Sequence, residues 1–68
     1  MNTQQSQAIL EAEAVRLDNL RKALQHAISV GEKRHSMFGG ARGMLVEQID
    51  AIDDQIGAIK TALHQLSL

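Results

Sequence analysis

Few residues in this chain carry side chains able to do chemistry. His26, His35 and His64 are the only histidines and there is no cysteine. No two histidines are close enough in sequence to share a helical turn, so no metal site is expected. Nothing suggests a nucleophile held by a base and an acid, or a glycine-rich phosphate loop between a strand and a helix. A chain of 68 residues also has little room for a pocket, so the expectation is a non-enzyme without cofactor. What remains is recognition by charge and by soft apolar surface, and two clusters offer it. The first is a basic tip of Lys33, Arg34, His35 and Arg42 with Met37 and Phe38 between them, and Phe38 is the one aromatic residue. Arginine, methionine and aromatic side chains concentrate in protein interfaces. The second is an acidic row, Glu47, Asp50 and Asp54 with Asp53 beside it, spaced by three and four. Such a row occupies one face of a helix, where it either complements a helix dipole near its start or presents carboxylates to a basic partner.

The elements that position these clusters follow from apolar spacing. Leu45, Ile49, Ile52, Ile56, Ile59, Leu63 and Leu66 are separated alternately by four and three residues, which places all of them on one helical stripe. Leu10, Leu17 and Leu24 recur every seven residues in the first half, with Ala14, Leu20, Ala27 and Ile28 beside them. Asn2 and Gln5 form a candidate capping pair at the start of that helix, and Glu13 with Arg16 and Asp18 with Lys22 are candidate surface ion pairs. The fold class predicted is all-α, an antiparallel helical hairpin in a single domain over residues 1–68. Helix 1 is expected over about 3–37, the turn over about 38–42 and helix 2 over about 43–67.

Two registers are open. A short turn at Gly39-Gly40 carries helix 1 across Gly31 and opposes Leu17 with Leu63 and Leu24 with Ile56; it is the more economical. A loop from Gly31 to Arg42 moves the pairing by one heptad, opposing Leu17 with Ile56 and Leu24 with Ile49. In either register one hairpin supplies a small core, and apolar residues remain outside the seam. Ala8, Ala12 and Val15 on helix 1, with Ala51, Ala58 and Ala62 on helix 2, are the candidate interface of a homodimer closing into a four-helix bundle.

The net charge of -1 gives no general attraction to nucleic acid or anionic lipid. No apolar run approaches the roughly 20 residues of a membrane span. The polar opening Met-Asn-Thr-Gln-Gln-Ser-Gln is unlike a signal peptide, so a cytoplasmic location is expected.

The segments QAILEAEAVRLDNLRKAL and GEKRHSMFGGARGMLVEQIDAIDDQIGAIKTAL together resemble the family of small anti-quorum-sensing proteins of temperate pseudomonad phages. That resemblance implies a phage-encoded dimer of helical hairpins. It implies two host partners: a LuxR-type quorum-sensing transcription factor, held at its DNA-binding region, and the ATPase that extends type IV pili. Inhibition of twitching motility and exclusion of superinfecting phage would follow. Contact residues are not carried over. The candidates Arg34, Met37, Phe38, Arg42, Glu47, Asp50 and Asp54 rest on the physical reading. Two other readings fit the same hairpin, a two-helix co-chaperone of a secretion needle subunit and an RNA-binding helical bundle.

Overall fold

The computed structural model describes residues 2–35 and 39–68, which form two antiparallel helices, α1 over Thr3–Lys33 and α2 over Ala41–Leu66. Helix α1 begins at the expected capping pair. The Asn2 side chain accepts from the Gln5 backbone N–H at 2.8 Å, and the Gln5 side chain accepts from the Asn2 backbone N–H at 3.2 Å. This reciprocal arrangement satisfies two donors that the first helical turn leaves without partners. Helix α1 then runs through Gly31, which is buried.

It stops at Lys33, four residues before the predicted end. Arg34 is its C-cap, donating its N–H to the Val30 carbonyl at 3.0 Å, and His35 follows at φ 53. A left-handed residue after the last helical turn is a common way to end a helix, and glycine is the usual occupant. Here histidine takes that position, which is why glycine positions did not mark the end of α1. Gly39 also has positive φ, at 58, and Gly40 caps the start of α2. The Gly39-Gly40 pair therefore launches the second helix rather than closing the first.

Leu17, Ile52 and Ile56 form the buried core, with Leu24 and Ile59 half-buried against it. Two ion pairs cross between the helices, Arg21 with Asp53 at 3.1 Å and Arg42 with Glu32 at 2.7 Å. Both pairs, and the Leu17–Ile56 contact cluster, fit the register predicted for the longer connection. The expectation of the short-turn register is corrected: Leu17 packs with Ile52 and Ile56, not opposite Leu63. Ending α1 at Lys33 leaves the extra connecting residues that this register needs. Leu20 and Ala27, expected beside the seam, are exposed, Leu20 to 42%.

The molecule measures 49 × 15 × 14 Å, an elongated rod of two helices. No described helix is long and apolar enough to cross a membrane.

The two left-handed positions yield opposite expectations. His35→Gly relieves a strained non-glycine residue and should stabilise the fold by about 0.5–1 kcal/mol, whereas Gly39→Ala should destabilise it by about 1 kcal/mol or more. Thermal denaturation followed by circular dichroism checks both.

Candidate functional site

No three histidine, aspartate or glutamate side chains converge on a common point among the described residues. The structure instead divides the surface of the rod into faces of different chemistry. Each residue turns the helix by about 100°, so neighbours of the seam fall on one flank or the other.

One flank is ionic. Arg21 stands at its centre, donating to Asp18 on its own helix and to Asp53 on α2, while Lys22 reaches Asp18 at 3.0 Å. Toward the tip the same flank carries Arg42 paired with Glu32. The hydrogen bond from Lys22, ahead of the charges of Lys22 and Arg21, holds the Asp18 carboxyl below its ordinary range. Arg21 is held above its ordinary range chiefly by its hydrogen bond to Asp53. Arg16 and Glu13 also pair as expected, with Arg16 Nε donating to Glu13 at 2.9 Å. That hydrogen bond is the main reason the Glu13 carboxyl is lowered.

These pairs decide what the basic tip can do. Arg42, a candidate contact residue, is engaged with Glu32; Arg34 is exposed at the C-cap of α1. Met37 and Phe38, the apolar part of that candidate site, lie outside the described residues. Arg16, Arg21, Lys22 and Arg42 all pair with carboxylates. Among the described residues that leaves Lys33, Arg34 and Lys60 as lysine or arginine side chains without a carboxylate partner.

The acidic row keeps its carboxylates. Glu47, Asp50 and Asp54 are exposed on the back of α2, and none forms an ion pair among the described residues. Asp53, set beside them in the sequence, is drawn off to Arg21. Helix α2 begins at Ala41 and has no acid in its first turn, so the helix dipole, whose influence fades within that turn, does not account for the row.

The other flank is uncharged on α2, while on α1 it carries the Glu13–Arg16 pair between Ile9 and Leu20. Ile9 and Leu20 on α1 and Met44 on α2 are 56%, 42% and 63% exposed. On α2, Met44, Gln48, Ala51, Gln55, Ala58 and Ala62 are spaced four, three, four, three and four, a second stripe without a single charge. Of the candidate dimer residues, Ala51 and Ala58 are exposed and Ala62 half-buried within this stripe. Ala8, Ala12 and Val15 are exposed on α1, close to the side facing away from α2, with Val15 at 60%. The hairpin leaves all of these but Ala62 exposed, and α1 carries its set on a different face from the uncharged stripe.

Comparison with known protein families, curated proteins and solved structures finds no match. The chain's own surfaces are the evidence for its function.

Two features escaped sequence reasoning. One is Arg21, which continues the seam spacing of Leu10, Ala14, Leu17, Leu24 and Ile28 in alternate steps of four and three; that spacing was the available signal. The other is the uncharged stripe, of which only the alanines stood out, because glutamine does not register in an apolar pattern.

The lowered carboxyls fix a direction for acid stability. A carboxyl depressed in the folded chain contributes stability above its unfolded pKa, and that contribution is lost as pH falls through the folded value. Melting temperature should therefore fall on acidification below about pH 4, where free carboxyls protonate. Asp18→Asn should lower the melting temperature at neutral pH and weaken its further fall in acid.

Proposed function

We propose that this protein is a non-enzymatic inhibitor acting by protein–protein contact, as a homodimer of helical hairpins in a bacterial cytoplasm. The observation that carries the reading is the acidic row: Glu47, Asp50 and Asp54 stand exposed and unpaired on a rigid helix, while Asp18, Asp53 and Glu32 are neutralised. Glu47 to Asp54 spans about 10.5 Å at 1.5 Å per residue, comparable with a few phosphate steps of a DNA strand at about 3.4 Å each. A surface built to neutralise phosphates with arginine and lysine can meet this row instead. The resemblance to the phage anti-quorum-sensing family supports a LuxR-type transcription factor as that partner, bound so that it no longer holds DNA. It also supports the type IV pilus ATPase as a second target.

Self-association has its own support. The chain exposes 5025 Å², whereas a compact monomer of 7.4 kDa would expose about 4200 Å². The excess, about 800 Å², is what one partner of a standard-sized interface covers. The uncharged stripe suits a two-fold contact, since a symmetric interface near its axis sets each residue against its own copy and any charge there repels itself.

The uncharged flank also favours a second reading, a hairpin co-chaperone that holds a helix of another protein. An RNA-binding role is disfavoured by the pairing of four cations with carboxylates. Capture from host lysate separates the readings: a transcription factor and a pilus ATPase support the inhibitor, a secretion subunit the co-chaperone, and RNA the third.

Glu47→Gln with Asp50→Asn and Asp54→Asn removes three charges at positions off the seam. The variant should stay folded and dimeric but inhibit promoter binding by the quorum receptor more weakly, mainly through slower association at low salt. Equal inhibition by variant and parent at low and moderate salt would remove the electrostatic basis of the proposal. Light scattering of the parent should report twice 7.4 kDa at micromolar concentration, and a stable monomer there would refute the dimer.

A further inference from the structure

The apolar pattern does not choose the hairpin's register. Leu10, Leu17 and Leu24 recur by heptads, and the α2 stripe from Leu45 to Leu66 repeats by heptads too, so sliding one helix by seven residues sets Leu17 against Leu63 and Leu24 against Ile56. These central pairs are of the same kind as those of the observed register, and the slip costs Leu10 its place opposite Leu63. Something polar must separate them.

Arg21 is placed to do so. It occupies a seam position between Leu17 and Leu24, where its side chain is only 33% exposed. Its Nε is buried without a hydrogen-bond partner. A cation held in an apolar seam with an orphaned donor is a poor source of stability, because its loss of water is incompletely repaid. Polar residues in helical seams are best understood as selectors of register.

Here the discriminating pair is visible on α2. In the observed register Arg21 meets Asp53. Seven residues further along the same flank stands Lys60, which together with Arg21, Asp18, Ala14, Val15 and Ile56 lines a shallow groove of 280 Å³. Sliding α1 by one heptad toward the short-turn register would bring Arg21 against Lys60 and part Glu32 from Arg42. One attraction would become a repulsion and a second attraction would be lost.

We propose that Arg21 fixes the register of the hairpin, by attraction to Asp53 and repulsion from Lys60. It is a positioning residue. The register in turn decides which α2 residues stand beside which α1 residues on both flanks, and hence the shape of the exposed surfaces.

Engineered cysteine pairs read the register directly, since the chain has no cysteine of its own. Leu20→Cys with Gln55→Cys lies within one residue of the Arg21–Asp53 register, and Leu20→Cys with Ala62→Cys reports the heptad slip. All three sites lie on the flank away from Arg21. Under mild oxidation at high dilution, intramolecular disulfide should form with position 55 and not with position 62.

Asp53→Lys combined with Lys60→Asp keeps the net charge and moves the attractive partner by one heptad. In that background the ratio of the two crosslinks should shift roughly tenfold or more toward position 62. Arg21→Leu, which removes the discriminating charge, should give both crosslinks. Should the charge-exchanged chain and the Arg21→Leu chain both crosslink only at position 55, with helical circular dichroism intact, the register is set elsewhere and the proposal fails. The charge exchange keeps the outcome decisive even if Arg21→Leu aggregates, because it changes only flank residues that are exposed.

Discussion

Two helices lying side by side share a single seam, and every other property of this molecule descends from that limit. An α-helix presents one stripe to one neighbour. With one neighbour each, α1 and α2 bury Leu17, Ile52 and Ile56 as their hydrophobic core, and a rod 49 Å long and two helices across leaves both flanks and both backs in contact with solvent. What the sequence places on those four strips is therefore displayed.

The strips differ because ion pairs between antiparallel helices can form only beside the seam. Arg21–Asp53 and Glu32–Arg42 both lie on one flank, and Asp18 gathers Arg21 and Lys22 there as well. Concentrating the interhelical pairs on one side leaves the opposite flank to Ile9, Leu20, the Glu13–Arg16 pair within α1, Met44 and the glutamine–alanine stripe of α2. Surface ion pairs contribute little to stability individually. Their larger effect is on availability: a guanidinium already held by a carboxylate is a weak ligand for phosphate, while Glu47, Asp50 and Asp54 stand exposed without an ion pair among the described residues.

Much of this is legible in the sequence. The four-three spacing of α2 determines its seam, and Asn2 with Gln5 names the start of α1, because both are local patterns within a few residues. The end of α1 was not legible, because histidine holds a left-handed position that ordinarily selects glycine. Register was not legible for a different reason. It is a comparison between two arrangements whose central apolar pairs are of the same kind, and the deciding residue, Arg21, does not score as hydrophobic in a search for hydrophobic spacing. The acidic row was seen as a pattern, but its separation from Asp53 depends on which residue of α1 faces it, and that again depends on register.

The faces are also arranged so that one use need not obstruct another. On α2 the uncharged stripe and the acidic row lie roughly a quarter turn apart, at about 100° per residue. A two-fold contact through the stripe would thus leave Glu47, Asp50 and Asp54 exposed on each chain, and one dimer would present two such rows on a common frame. Two rows matter for a target that is itself paired, as helix-turn-helix regulators on two half-sites are. Engagement of the first row would raise the effective concentration of the second, provided the spacing matches. In a rod without a flexible domain linker that spacing is set by the seam. The register of a small hairpin would then govern not only how it folds but how far apart its binding surfaces stand.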